Sequence, residues 1–106
     1  MDEIVDGVVR AATLQPFVNW EVPTPDEIKN VVARLGLIRG VRMTGADVAQ
    51  IVGFSGSAGV GRGSRTYRRW VAGESNIPYS AWCVLCYEAG FGVIWDTKIL
   101  NGDSDA

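Results

Sequence analysis

Hydrophobic residues recur along most of this chain at the three- and four-residue spacing of an α-helix. The first such stretch covers residues 2–13, and Asp2 stands at its start as a possible N-cap. The apolar positions are Ile4, Val5, Val8, Val9 and Ala12. We therefore predict an amphipathic helix over 2–13. A connector with two prolines follows over 14–23, and its apolar residues predict either a short strand or a segment that packs under the domain.

A second helix has a well-marked beginning. Thr24 is a suitable N-cap, Pro25 suits the first helical position, and Glu27 completes a capping box. Apolar residues continue at helical spacing as far as Leu35. The glycine that comes next, Gly36, predicts the end of this helix in the left-handed conformation.

Two shorter helices are predicted on either side of a glycine-rich segment. The first covers 44–52, with Thr44 as its N-cap, and Gly53 closes it. Residues 55–63 contain four glycines and two serines, a composition that predicts a loop. The second short helix then covers 64–71.

A final helix is predicted from Pro78 to Ala89, with Gly90 as its boundary. Residues 91–100 are apolar enough for a strand or a docked arm, and 101–106 form a polar, acidic tail that we expect to be disordered. The predicted fold is mainly α, a compact bundle of four to five helices with a helix-turn-helix and possible short strands in both extensions. The corresponding division of the chain is 1–23, 24–90 and 91–106.

Composition limits the class of protein. A chain of 106 residues with 47% hydrophobic residues forms one domain with a sizeable core. No apolar run approaches the roughly 20 residues that span a bilayer, and the first residues lack the basic region of a signal peptide, so we expect a cytoplasmic protein without a membrane partner. Histidine is absent, and we find no catalytic set, cofactor motif or small-molecule substrate site.

Charge is segregated along the chain although the net charge is only −2 and the sequence pI is about 5.0. Residues 34–69 hold seven arginines against one acid, whereas residues 1–33 and 70–106 each carry a net charge of −4. A basic centre of this kind indicates an electrostatic partner. Because every basic residue in it is arginine, nucleic acid is favoured over a merely solvated basic surface.

The predicted helix over 64–71 carries this basic character on one face. At 100° per residue, three residues share that face: Arg65, Arg68 and Arg69. Three others lie opposite and are expected to pack inward: Tyr67, Trp70 and Val71. Guanidinium groups match phosphate oxygens and the major-groove edge of guanine. Nucleic-acid binding is therefore the leading interpretation of the sequence.

Several short motifs between residues 24 and 90 follow one another in a recognisable order. They are Thr24-Pro25-Asp26-Glu27, Leu35-Gly36-Leu37, Ala46 to Ala49, Val52-Gly53-Phe54, Arg65-Thr66-Tyr67-Arg68-Arg69-Trp70, Ala72-Gly73-Glu74 and Ile77-Pro78. This stretch resembles the Cro/cI-type (Xre-like) helix-turn-helix family, and within it small phage and plasmid regulators such as anti-CRISPR-associated repressors. Two features depart from that family: a longer link at 38–43 and an expanded turn at 55–63.

The resemblance implies that the helix over 64–71 enters the major groove of double-stranded DNA. It implies base contacts from Arg65 and from Arg68 or Arg69, and contacts to phosphate or a thymine methyl from Ser64 and Thr66. The candidates for backbone contact are Arg62, Arg42 and Arg39, with Gln50 as a weaker one. For Arg39 and Arg42, a salt bridge or a solubilising role is an equal alternative.

The function implied is a sequence-specific regulator, in the first place a repressor, of a phage, plasmid or other mobile element. It would bind as a homodimer to an inverted repeat in the promoter of its own operon. The expected dimer surfaces are the apolar extensions, Ile4 to Val9 and Phe91 to Leu100. The alternative is a helix-turn-helix reused as a protein-binding module, for example an inhibitor of a host protein. An exposed arginine face would favour DNA, and the expanded loop favours the alternative.

Two short motifs are similar to a nucleotide-binding loop and to a Cys-x-x-Cys site, but each lacks residues that such a site needs. The segment from Gly56 to Gly63 is similar to a phosphate-binding loop, but it has Arg62 in place of the lysine and Gly63 in place of the serine or threonine that follows it. The pair Cys83 and Cys86 has Cys-x-x-Cys spacing, but it falls in the middle of a predicted helix without a second pair or histidine. We expect Cys86 to be a small buried residue and Cys83 to flank it, with no bound metal.

Overall fold

The computed structural model describes residues 3–53 and 62–95. A two-stranded antiparallel hairpin, β1 (Ile4–Val5) and β2 (Val9–Arg10), comes first. Two short 3-10 turns follow, Ala11–Leu14 and Phe17–Asn19. The helices are α1 (Pro25–Arg39), α2 (Gly45–Val52), α3 (Arg62–Val71) and α4 (Tyr79–Cys86), and α4 continues into a π turn at Tyr87–Phe91. The prediction of a mainly α fold is confirmed. Within the described ranges, no helix is long and apolar enough to cross a membrane.

The predicted helix over 2–13 is wrong, because the chain forms the β1–β2 hairpin instead. Asp6 and Gly7 both adopt left-handed backbone angles, with φ of 54° and 71°. The N–H of Val8 donates to the carbonyl of Val5 at 2.9 Å and closes the turn. An Asp-Gly pair with both φ values positive is a common β-turn in hairpins, and Val8 follows it before the strands pair at Val5 and Val9. The apolar spacing over 4–9 suits a hairpin as well as a helix, and the turn residues decide between them.

The beginning of α1 is as predicted, but its end is not. Thr24 and Glu27 form the complete capping box, with Pro25 in the first turn. The helix continues through Gly36 and ends at Gly40, which has a φ of 72°. A β-carbon at position 36 would lie 2.6 Å from the carbonyl oxygen of Val41. Gly36 therefore permits a close approach of the following turn, and the link to α2 shortens to residues 40–44.

The next helices follow their predicted positions closely. Thr44 and Asp47 form a second capping box at the start of α2, and Gly53 caps its end. α3 begins two residues before the predicted 64–71, and most of the predicted loop over 55–63 lies outside the described residues.

The final helix and the segments around the helices also correspond in part to the predictions. α4 starts after Pro78 as expected and continues into the π turn, within which Gly90 leaves the helical conformation with a φ of 91°. The connector over 14–23 forms no strand and packs on the domain only in part. The ring centroids of Trp20 and Tyr79 lie 4.9 Å apart, whereas Phe17, Val18 and Val22 are exposed. Residues 91–95 form no strand, and the rest of the predicted arm and tail lies outside the described ranges.

The core is centred on Trp82, which is completely buried. Its indole N–H donates to the carbonyl oxygen of Thr13 at 2.7 Å. The hydroxyl of Tyr79 donates to the carbonyl oxygen of Gln15 at 2.8 Å. Both bonds join α4 to the segment that precedes α1. The hairpin takes part in the same core through Val9, which is 1% exposed.

Arg10 joins the hairpin to the start of α1. Its Nε donates to Glu27 Oε2 and its Nη2 to Glu27 Oε1, each at 3.0 Å. The backbone N–H of Arg10 donates to the same carboxylate at 2.8 Å. Glu27 therefore caps α1 and holds the N-terminal segment against it. Both cysteines on α4, Cys83 and Cys86, are buried and free, and the expectation for Cys86 is confirmed.

Candidate nucleic-acid interface

α3 has the two faces that its sequence predicts. Trp70 is 3% exposed and belongs to the core, and Tyr67 is half-buried against it. Burial raises the pKa of the Tyr67 hydroxyl. Among the side chains of α3 that the structure describes, three arginines are exposed: Arg65, Arg68 and Arg69. The helix is thus anchored by aromatic residues and presents a row of guanidinium groups to solvent.

α3 packs directly against α2, and the turn that follows α3 lies beside the start of α1. At the C-terminal end, the N–H of Glu74 donates to the carbonyl of Arg69 at 2.9 Å, and Gly73 adopts a φ of 79°. A β-carbon at Gly73 would touch Pro25 at the start of α1. The orientation of the arginine face is therefore fixed relative to α1 and α2.

The arginines of the described chain fall into two groups according to their partners. The first group forms salt bridges: Arg10 with Glu21 and Glu27, Arg34 with Asp6 at 2.8 Å, and Arg39 with Glu88 at 2.8 Å. The second group has no salt bridge to any described carboxylate: Arg42, Arg65, Arg68 and Arg69. Guanidinium groups that are exposed and not neutralised by a neighbour remain available to an anionic partner.

A shallow groove between the end of α1 and α2 brings together three of the sequence candidates: Arg39, Arg42 and Gln50. Its volume is about 410 Å³. Asp47 also lines the groove, and the backbone hydrogen bond from Thr44 lowers the pKa of its carboxyl group. The carboxylate is therefore engaged in the helix cap. Arg39 is bound to Glu88 across the fold, which is the alternative left open for it by the sequence.

The remaining candidates lie on α3. Thr66 is half-buried in the middle of the helix. Arg62 and Ser64 belong to its first turn by their backbone, and their side chains lie outside the described part. The sequence analysis missed the role of Arg10 in positioning α1. The sequence indicates Glu27 as a cap of α1, but it does not indicate that the same carboxylate also binds Arg10, which lies 17 positions away in the chain.

Comparison with known proteins agrees with this picture. No protein-family model matches the chain, and no solved structure matches it. Two proteins of Escherichia coli, each named transcriptional repressor protein KorC, are similar to it over 90 residues. One is 41% and the other 37% identical, and each alignment covers 85% of this chain and 93% of the relative. The prediction of a DNA-binding transcriptional repressor is confirmed by these relatives. With similarity of this extent over nearly the whole of both proteins, the chain belongs to the family of KorC transcriptional repressors.

Proposed function

We propose that this protein represses transcription by inserting α3 into the major groove of a specific DNA site. The observation that carries the proposal is the exposed face of Arg65, Arg68 and Arg69 on a helix whose opposite face is buried through Trp70. These arginines have no salt bridge within residues 3–53 and 62–95. A surface of this kind suits phosphate oxygens and guanine edges.

We assign base contacts to Arg65 and to Arg68 or Arg69, because they project from the exposed face of α3. Ser64 and Thr66 are proposed to contact phosphate or a thymine methyl. The proposed backbone contacts come from Arg62 and Arg42, with Gln50 beside Arg42 in the groove along α2. Arg39 is the weakest of the arginine candidates, because DNA would have to compete with its salt bridge to Glu88.

The proposed arrangement on DNA is a homodimer on an inverted repeat, in the promoter of the protein's own operon on a phage, plasmid or other mobile element. One short helix reads only a few base pairs, so two copies are needed for a specific site. The order of α1 to α4 supports a Cro/cI-type helix-turn-helix within the KorC family. Of the two dimer surfaces expected from the sequence, the segment Ile4 to Val9 is only partly available to a second copy, since Val9 is buried in the core of the domain.

The experiment that tests the function is fluorescence polarisation with DNA from immediately upstream of the gene, and with a scrambled duplex as control. At about physiological salt, we expect tight binding to the upstream DNA that survives nonspecific competitor. Arg65→Ala or Arg69→Ala should lose about 1–3 kcal/mol, or about 5- to 150-fold in affinity. The matched control is Arg34→Ala, because this arginine is already engaged by Asp6. If neither α3 variant weakens binding, the assignment of α3 as the reading helix is wrong.

A salt titration separates DNA binding from the protein-binding alternative. Each phosphate contact should contribute a slope of about −0.9 to the dependence of log affinity on log salt. Each α3 variant that loses a phosphate contact should reduce this slope. Equal and weak binding to the upstream and scrambled duplexes would instead favour a protein partner, to be sought by pull-down from the host.

A further inference from the structure

An exposed apolar surface lies where α1 ends beside the π turn. We call it the Tyr87–Trp95 face, and it consists of Ile38, Val84, Tyr87 and Trp95. Their exposed fractions are 56%, 37%, 54% and 43%. The rings of Tyr87 and Trp95 lie with centroids 6.4 Å apart. Ile38 reaches the π turn so closely that a β-carbon at Gly90 would be 3.6 Å from its Cδ1.

The face is held rigidly by the residues next to it in the chain. Cys86 precedes Tyr87 and is fully buried, and Ile94 precedes Trp95 and is 6% exposed. Both aromatic side chains therefore project from an anchored backbone. Tyrosine and tryptophan have two side-chain torsions each, so a partner orders little when it packs on them. Rigid, exposed aromatic residues of this kind are typical of binding surfaces.

The described charged residues beside this face are paired with one another. Arg39 pairs with Glu88 at 2.8 Å, and Arg34 pairs with Asp6 at 2.8 Å. The guanidinium of Arg34 also lies 4.6 Å from the centre of the Phe91 ring. A partner that covers the face thus buries no unpaired charge from the described residues beside it, and burial of an unpaired charge would be costly. The partner that fits is itself apolar, aromatic and uncharged at its centre, and a second copy of the same face has these properties.

The other exposed apolar side of α1 is less suited to a second copy. Leu37 and Val41 border a groove that also contains Lys29 and Arg42. Neither cation has a salt bridge to a described carboxylate. A two-fold axis through this groove would bring like charges together, which destabilises an interface. The distribution of paired and unpaired charges therefore favours the Tyr87–Trp95 face over this groove.

We propose that two copies of the protein associate through the Tyr87–Trp95 face, about a two-fold axis that packs the Tyr87 and Trp95 rings of one copy on those of its partner. In such an isologous contact each residue meets the same surface of the other copy. The proposal rests on the proposed function in one respect: a repressor dimer on an inverted repeat needs a self-association surface away from α3. It identifies Ile38 and Tyr87, which lie outside both extensions, as part of that surface.

Cysteine cross-linking of the full chain tests the geometry directly. Both native cysteines are buried, so an introduced surface cysteine is the reactive thiol among the described residues. We expect Tyr87→Cys to form a disulfide-linked dimer under mild oxidation, seen on a non-reducing gel and lost with reductant. The matched control is Val18→Cys, since Val18 is 81% exposed on the 3-10 turn of the connector. A dimer band of equal strength for both variants would overturn the proposal.

Sedimentation equilibrium of the full chain tests the energetics. We expect a concentration-dependent dimer whose dissociation constant rises at least about tenfold for Tyr87→Glu and for Trp95→Ala. Tyr87→Phe retains the ring and should remain dimeric, and Val18→Glu should have no effect. Far-UV circular dichroism checks that each variant is folded. If Tyr87→Glu does not fold, Trp95→Ala and the cross-linking result decide.

The outcomes separate this proposal from the function. A monomeric wild type, or a dimer that these variants do not affect, would overturn the proposal that this face is the dimer interface. In that case another part of the chain or a different protein covers the face. Binding to the upstream DNA that depends on Arg65 and Arg69 would still support the function in that case. Conversely, dimers that dissociate as expected support the face even if both arginine variants bind DNA normally.

Discussion

Replacement of Glu27 by glutamine should destabilise the whole domain, because one carboxylate joins two parts of the fold. Its oxygens accept the side chain and backbone of Arg10 and the backbone N–H of Thr24. The Glu27 side chain is 10% exposed and that of Arg10 is 25% exposed. Glu27→Gln keeps the size of the side chain, removes its charge and replaces one acceptor oxygen by an NH₂ group that faces donors.

The expected magnitude follows from this geometry. Removing one partner of a buried ion pair costs about 3–5 kcal/mol, because the other charge is left buried and unpaired. Arg10 is partly exposed and can regain water, and the remaining amide oxygen of the variant can still accept hydrogen bonds. We therefore expect a loss of about 2–3 kcal/mol in the free energy of unfolding. For a domain with a total of about 5–15 kcal/mol, this is a large fraction.

The assay is urea unfolding followed by tryptophan fluorescence, on wild type, Glu27→Gln, Arg10→Met and the double variant. A coupling energy well above zero in this cycle would show that the two side chains act as a pair. The matched control is Glu21→Gln, since Glu21 also bonds to Arg10 at 3.0 Å but its side chain is 60% exposed. An exposed pair of this kind should contribute less than about 1 kcal/mol.

The stability difference between wild type and Glu27→Gln should decrease at low pH. Burial alone would raise the pKa of Glu27, but the hydrogen bonds from Arg10 and Thr24 outweigh it and lower the pKa below 4.5. The stabilisation by this carboxylate is therefore complete above pH 4.5 and is lost as the pH falls through the lower, folded-state pKa. The difference between wild type and Glu27→Gln should shrink there. A loss no greater than that of Glu21→Gln, or a difference that does not change with pH, would refute the reasoning.

Three further predictions concern the core. Gly36→Ala should destabilise the protein by about 1–2 kcal/mol in thermal unfolding. The new β-carbon would lie 2.6 Å from the carbonyl oxygen of Val41, and this overpacking outweighs a gain of up to about 1 kcal/mol in helix propensity. A stabilised variant would contradict this. Trp82→Phe should cost about 2–4 kcal/mol in urea unfolding, since it leaves the Thr13 carbonyl without its donor and creates a cavity; a loss below about 1 kcal/mol would be inconsistent with it. Cys83 and Cys86 should react slowly with a maleimide until the protein is denatured, since burial raises the pKa of both thiols, and rapid native-state labelling would contradict their placement.

The sequence by itself determined the features whose causes lie within one or two helical turns. The two capping boxes, at Thr24 and Thr44, connect residues three positions apart and were predicted correctly. The two faces of α3 follow from helical periodicity alone, so the exposure of Arg65 and the burial of Trp70 were also predicted. The repressor function was reached from this arginine face together with a family resemblance.

The tertiary structure decided what depends on partners far apart in the chain. The hairpin turn depends on the local pair Asp6 and Gly7, but the attachment of the hairpin to the domain depends on Glu27, which lies 17 positions from Arg10, and on the burial of Val9 in the core. α1 continues past Gly36, and the missing side chain at this position leaves room for the carbonyl oxygen of Val41, which lies 2.6 Å from where a β-carbon would be. Arg34 and Arg39 are neutralised by acids 28 and 49 positions away. Local sequence shows where the arginines are, but it does not show which of them form salt bridges within the protein. A salt bridge depends on distance in space and not along the chain, so the tertiary structure decides which arginines are left unpaired for a partner.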